Sequence, residues 1–212
     1  MSRIQTTDFI LVALVALVIG LTVYRVLDGK PQQADPAQLM DAGVILLPQS
    51  RTVPALSLTN QEGEAVQVDQ FKDKWTLLFF GYTFCPDICP ATLAELRQLR
   101  SQLPEPVRER LRPVLVSVDP HRDTPEQLKK YLAFFGEGFT GLTGSLDEIQ
   151  TLATGVGIPF IPGDTSRENY TVDHSGNLVI IGPDGRQRGF IRAPLKVDKL
   201  REQLPGLLSQ SE

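Results

Sequence analysis

The distribution of apolar residues divides the chain into three regimes. From Phe9 to Tyr24 there is no charged residue at all. Extended to Leu27 and interrupted only by Arg25, this run spans roughly 27 Å as a helix at ~1.5 Å per residue, close to the hydrocarbon thickness of a bilayer. It lacks the polar face that a core helix would need. The pattern predicts an N-terminal transmembrane anchor over residues 1–27. A cleaved signal peptide would need a small-x-small site, and Leu-Thr-Val-Tyr-Arg-Val-Leu after Gly20 offers none. Arg3 stands against Asp8 on one side, and Arg25 and Lys30 are partly offset by Asp28 on the other. The reading adopted places the amino terminus in the cytoplasm and the domain outside.

Residues 28–43 form the second regime, with Gly29, Pro31, Gln32, Gln33, Asp35 and Pro36 offering little to bury. They read as a flexible tether. The third regime, residues 44–212, alternates short apolar runs with helical periodicity. Val53–Leu58 and Glu64–Val68 flank Asn60-Gln61-Glu62-Gly63 as a hairpin. Thr76–Gly81 and Pro113–Val118 are nearly continuous apolar runs, as expected of strands buried on both faces. Leu93, Leu96, Leu99 and Leu103 recur at helical spacing, with Pro90 fitting the first turn. Thr124 caps a second helix that has Pro125 at its first position and Leu128, Leu132 and Phe135 inside. Leu146–Val156 is a third helix. Asn177–Ile181 and Arg188–Ile191 pair about Pro183-Asp184-Gly185, and Val197–Leu208 closes the chain as a helix. This order predicts an α/β domain, a central mixed sheet flanked by helices.

Composition changes little. The net charge of −4, with no block of basic residues, argues against nucleic acid as a partner. Two cysteines are too few for a stapled scaffold, so Cys85 and Cys89 need a local explanation. Cys85 falls in the loop after the first central strand and Cys89 at the helix start. Chemistry in open α/β sheets gathers at such strand ends, and a helix amino terminus favours thiolate. Two thiols this close can form a disulfide, share a soft metal ion, or do each at different times. The histidines are His121, after the Val114 strand, and His174, before the Asn177 strand. Two thiolates and one imidazole suit copper. Structural zinc wants four ligands, which would require both histidines. A purely structural disulfide would close a five-residue ring and add little stability.

The segments Gly81-Tyr82-Thr83-Phe84-Cys85-Pro86-Asp87-Ile88-Cys89-Pro90, Ser117-Val118-Asp119-Pro120-His121-Arg122-Asp123-Thr124-Pro125 and Val172-Asp173-His174-Ser175 together resemble the SCO/SenC family. The resemblance runs from about Val53 to Leu204. It implies a thioredoxin-like fold and a membrane-tethered copper chaperone with Cys85, Cys89 and His174 as metal ligands. It implies a role in assembling the CuA centre of cytochrome c oxidase, with the CuA-bearing subunit II as partner and other copper chaperones or thiol reductants as further contacts. The short leader has no Arg-rich presequence, which favours a bacterial inner membrane with the domain in the periplasm. The alternative is a thiol-disulfide oxidoreductase in which Cys85 and Cys89 reduce the cysteines of that subunit. A peroxidase is disfavoured because Thr83 stands two positions before Cys85, where peroxiredoxins have it three before. His121 departs from the family, in which that position varies, and is read as idle. Asp87, Asp119, Asp123 and Asp173 border the motifs: Asp123 is expected at the helix start, Asp119 in a turn, Asp87 tuning the thiols or touching a partner, and Asp173 orienting His174.

Overall fold

A computed structural model describes residues 11–22 and 34–209. The chain divides into two compact units, residues 1–33 and 34–212. In the first, residues 11–22 form helix α1, exposed throughout. Among the described residues no helix is long and apolar enough to cross a membrane. The remaining residues of the expected 1–27 anchor, and residues 28–33 of the expected tether, lie outside the described part.

The second unit starts at Ala34, before the expected Val44. Residues 36–43 are not a tether. Asp35 accepts a hydrogen bond from Ala37 N at 2.9 Å and caps the short helix α2 (Pro36–Asp41). Leu39 and Ala42 enter the core at 2% and 0% exposure. Pro36 looks like a linker residue in sequence, yet it also suits the first turn of a helix.

The sheet has eight strands, in the order β1 (Val44–Thr52), β8 (Arg186–Ile191), β7 (Leu178–Ile181), β4 (Trp75–Gly81), β5 (Leu111–Ser117), β6 (Thr140–Thr143), β2 (Ser57–Asn60), β3 (Ala65–Gln67). β4, β5 and β6 are parallel, whereas β7, β8, β1 and the β2–β3 hairpin pair antiparallel. All seven residues of β4 are buried, as its unbroken apolar run requires. The helices are α3 (Ile88–Gln102), α4 (Glu105–Glu109), α5 (Pro125–Ala133), α6 (Leu146–Gly155) and α7 (Val197–Ser209). α3 turns Leu93, Leu96 and Leu99 inward, and Thr124 caps α5 by accepting from Gln127 N at 3.2 Å. α6 begins with a capping box between Ser145 and Glu148.

Removing residues 34–42 uncovers core that Leu39 and Ala42 seal. A chain beginning at Gly43 should therefore unfold at lower urea than one beginning at Ala34, with a loss of about 2–3 kcal/mol. Equal midpoints would mean α2 contributes nothing to the fold.

Candidate metal centre

The carboxyl end of β4 sets the site. Gly81 ends the strand, Tyr82 is 1% exposed, and the chain then turns through Thr83-Phe84-Cys85-Pro86-Asp87 into α3. Cys85 N donates to Tyr82 O at 3.3 Å, which tightens the turn. Cys89 lies in the first turn of α3 with no exposed surface, and Cys85 is half-buried. Both thiols are free. Each sulfur accepts a backbone N–H, Cys85 Sγ from Cys89 N and Cys89 Sγ from Tyr82 N, both at 3.4 Å. A glycine is needed at position 81. A Cβ there would lie 2.8 Å from Cys89 Sγ and 2.8 Å from the Phe79 ring.

His174 arrives on the segment leading into β7, the antiparallel neighbour of β4. Its Nε2 lies 3.7 Å from Cys85 Sγ and 3.3 Å from Cys89 Sγ. Nδ1 faces Ser175 O at 3.2 Å. That carbonyl can only accept, so Nδ1 carries the proton and Nε2 turns its lone pair toward the sulfurs. The rings of Tyr82 and Phe79 meet the imidazole edge-on, with centroids at 5.6 and 6.0 Å. One ligand atom from each of Cys85, Cys89 and His174 lies within 4.8 Å of the other two. The two expected sulfurs and the expected imidazole thus come together.

Burial governs the charge states. It lowers the pKa of His174, so the ring is neutral and able to ligate at neutral pH. It pushes the Cys89 thiol well up, more than the hydrogen bond from Tyr82 N lowers it. For this cysteine the expected preference for thiolate at the helix start is corrected: burial favours the neutral thiol.

Two of the neighbouring carboxylates, Asp123 and Asp173, have other duties than those expected, while Asp119 starts a turn as expected, its carbonyl accepting from Arg122 N at 3.1 Å. Asp123, fully buried, does not serve the start of α5. It accepts from Thr83 N at 3.0 Å, Thr83 Oγ1 at 2.7 Å and Ser117 Oγ at 2.7 Å, tying the cysteine loop to the end of β5. Burial raises its pKa, and these hydrogen bonds pull it partway back. Asp173 does not orient the imidazole; its carbonyl accepts from Ile161 N at 3.0 Å. Asp87 occupies the N-cap of α3 without a side-chain bond. It lines an open cleft of about 440 Å³ beside His174, with Ile88, Thr92 and Glu95. His121 is exposed and contributes nothing to the three-residue group.

Sequence reasoning missed the clasp on the histidine segment. Tyr82 Oη accepts from Val172 N at 3.2 Å. Arg122 pairs with Asp119 and lies over the rings of Tyr170 at 3.7 Å and Phe84 at 4.9 Å. Its Nη2 donates to Tyr170 O at 3.0 Å, and Tyr170 Oη donates to Asp119 at 2.6 Å. Arg122 stands inside the Ser117–Pro125 motif, but Tyr170 sits in a segment without periodicity that could have flagged it.

The SCO1/SenC family profile matches residues 46–209. The chain belongs to the SCO1/SenC family. A protein of Stutzerimonas stutzeri to which copper binding is ascribed is 49% identical over 172 residues, 81% of this chain and 84% of that one. Mitochondrial protein SCO2 of Saccharomyces cerevisiae is 33% identical over 165 residues, 74% of this chain but only 54% of the longer yeast protein. Among solved structures, Arabidopsis thaliana ScoI with copper bound aligns at TM-score 0.66 and 31% identity, over 76% of this chain and 99% of that one. Apo Sco1 of Thermus thermophilus aligns at TM-score 0.69 and 33% identity, over 78% and 96%. The mixed α/β sheet is thus the thioredoxin-like Sco fold.

Asp123→Ala would strand three donors and free the cysteine loop. We expect a loss of about 2–4 kcal/mol in urea unfolding. An unchanged midpoint would remove Asp123 from this role.

Proposed function

We propose that this protein is a membrane-tethered copper carrier that holds one ion through Cys85, Cys89 and His174 and delivers it to the CuA site of cytochrome c oxidase subunit II. The convergence of two sulfurs and a neutral imidazole carries the reading. Three soft donors suit Cu(I), and zinc prefers a fourth that no neighbouring His, Cys, Asp or Glu supplies among the described residues. The copper-bound Arabidopsis relative supports the same assignment. In this reading residues 1–27 anchor the protein in a bacterial inner membrane and residues 28–33 lead to a periplasmic domain. The copper is cargo. Half-buried Cys85 gives an incoming ligand access while Cys89 stays enclosed, so the ion can pass between donor sets without being released to water. Phe84 and Ile88, 52% and 43% exposed beside the cysteines, offer apolar surface for the recipient.

A second reading rests on the asymmetry of the two thiols. Cys85, reachable and stabilised by the N–H of Cys89, would attack a partner disulfide, forming a mixed disulfide and releasing one partner thiolate. Cys89 would then attack Cys85 Sγ, releasing the second. The partner ends reduced, and Cys85–Cys89 ends as a disulfide to be reduced by an external thiol.

Competition of the reduced full chain with a Cu(I) chelator separates the two. The carrier binds one tight ion, and His174→Ala should weaken it by more than the about 10–100-fold typical of losing an outer-shell partner. Unchanged affinity in that variant would refute the three-ligand site. Disulfide reduction that survives loss of His174 would favour the second reading. Binding should also depend on pH. The Cys89 proton must leave for copper to enter, so affinity falls as pH falls, by at least about tenfold per unit across neutrality. Proton release during the titration measures it, and a flat profile would place Cys89 outside the donor set.

A further inference from the structure

At the opposite end of β4 lies a concentration of positive charge. Lys74 immediately precedes β4, Arg112 is the second residue of β5, Arg97 and Arg100 lie near the end of α3, and Arg108 is in α4. The five surround two adjoining grooves of about 490 and 350 Å³, which share Arg100, Arg108, Gly138 and Phe139. Only Glu109 and Glu137 oppose them in the lining. Among the described residues none of the five cations forms an ion pair. This is local positive excess on a protein of net charge −4.

The guanidinium groups are held in place. Arg100 Nη1 donates to Glu137 O at 2.7 Å, and the group lies 5.6 Å from the Phe139 ring centre. Gly138, at φ +85°, makes room for it: a Cβ would stand 2.4 Å from Arg100 Nη2. Arg100 Nε is buried without an acceptor. Arg112 rests over Phe71 at 5.3 Å. Burial, and secondarily repulsion from Arg108, lower the pKa of Arg100, while Arg112 feels one nearby carboxylate, Asp73. Such an arrangement is destabilising on its own and is relieved by an anion.

We propose that these grooves bind a ligand carrying phosphate groups. A lone carboxylate has two coplanar oxygens and one charge, enough for a single guanidinium fork. Cations drawn from three elements and from the turn before β4 instead match tetrahedral, multiply charged groups. Two grooves meeting at Arg100 and Arg108 suit two linked phosphates. The seven residues of β4 put this site about 20 Å from the cysteines, at ~3.3 Å per residue.

Isothermal titration of the full chain in non-ionic detergent, with sodium pyrophosphate and with sn-glycerol 3-phosphate, tests the assignment. Saturable binding of one ligand per chain is expected, weakening at least about tenfold in Arg97→Ala/Arg108→Ala and with added salt. Tighter binding of pyrophosphate points to a free diphosphate and supports the paired grooves; tighter binding of the glycerol ester points to a single phosphate, as on a lipid headgroup, and overturns the fit to two linked phosphates. The double variant changes exposed or half-exposed residues distant from the cysteines, so its Cu(I) affinity and circular dichroism should match the parent and exclude misfolding. No saturable binding of either probe, or equal affinity in parent and variant, overturns the proposal.

Discussion

A single buried carboxylate ties together the parts from which the candidate metal centre is made. Asp123 sits without solvent contact and gathers donors from the cysteine loop and from the last residue of β5. Both segments leave the sheet at the carboxyl ends of parallel neighbours, where free backbone groups and diverging chains would otherwise fray. Thr83 answers Asp123 with two donors and accepts from Gln127 Nε2 at 3.0 Å, which brings α5 into the same tie. A buried carboxylate is costly to desolvate. It is retained where several donors from separate segments repay that cost and fix one arrangement. Two residues downstream of Thr83 the chain presents Cys85, so the sulfurs inherit their positions from a polar knot beneath them.

Electrostatics at the centre follow from the same enclosure. Water is kept from Cys89 and largely from His174, and for both groups the neutral form is favoured. The result is a donor set of low charge that gains ionic character only as a cation enters. The first turn of α3 directs an N–H, that of Cys89, at the half-buried Cys85 sulfur, whereas the enclosed Cys89 sulfur takes its hydrogen bond from Tyr82 N at the end of the strand.

The central architecture was legible in the sequence wherever a pattern repeats over enough residues. The unbroken apolar runs gave β4 and β5, the leucine spacing gave α3, and Thr124-Pro125 gave the start of α5. The three residues that cluster in the candidate centre were also legible, through motif resemblance. What escaped had no such pattern. β1 mixes exposed and buried positions and is pinned by pairing with β8, a partner distant in sequence. β6 has four residues, Thr140–Thr143, too few to show alternation. α2 and α4 are single turns or little more, framed by prolines that resemble linker. The clasp of Arg122 on Tyr170 joins residues 48 apart. The absence of a basic block in sequence was likewise a poor guide to local charge, since Lys74, Arg97, Arg100, Arg108 and Arg112 are brought together only by folding.

The sulfur–imidazole contact also spans a long stretch of chain: Cys85 and His174 are 89 residues apart. Both sulfurs leave the ribosome well before the imidazole does, and β7 must take its place beside β4 before that ring can reach them. A nascent or truncated polypeptide therefore has a pair of thiols but no three-donor centre. Non-local pairings of this kind form late in folding. In the proposed carrier, assembly of the donor set is thereby coupled to completion of the domain, a built-in quality control on which molecules could be loaded.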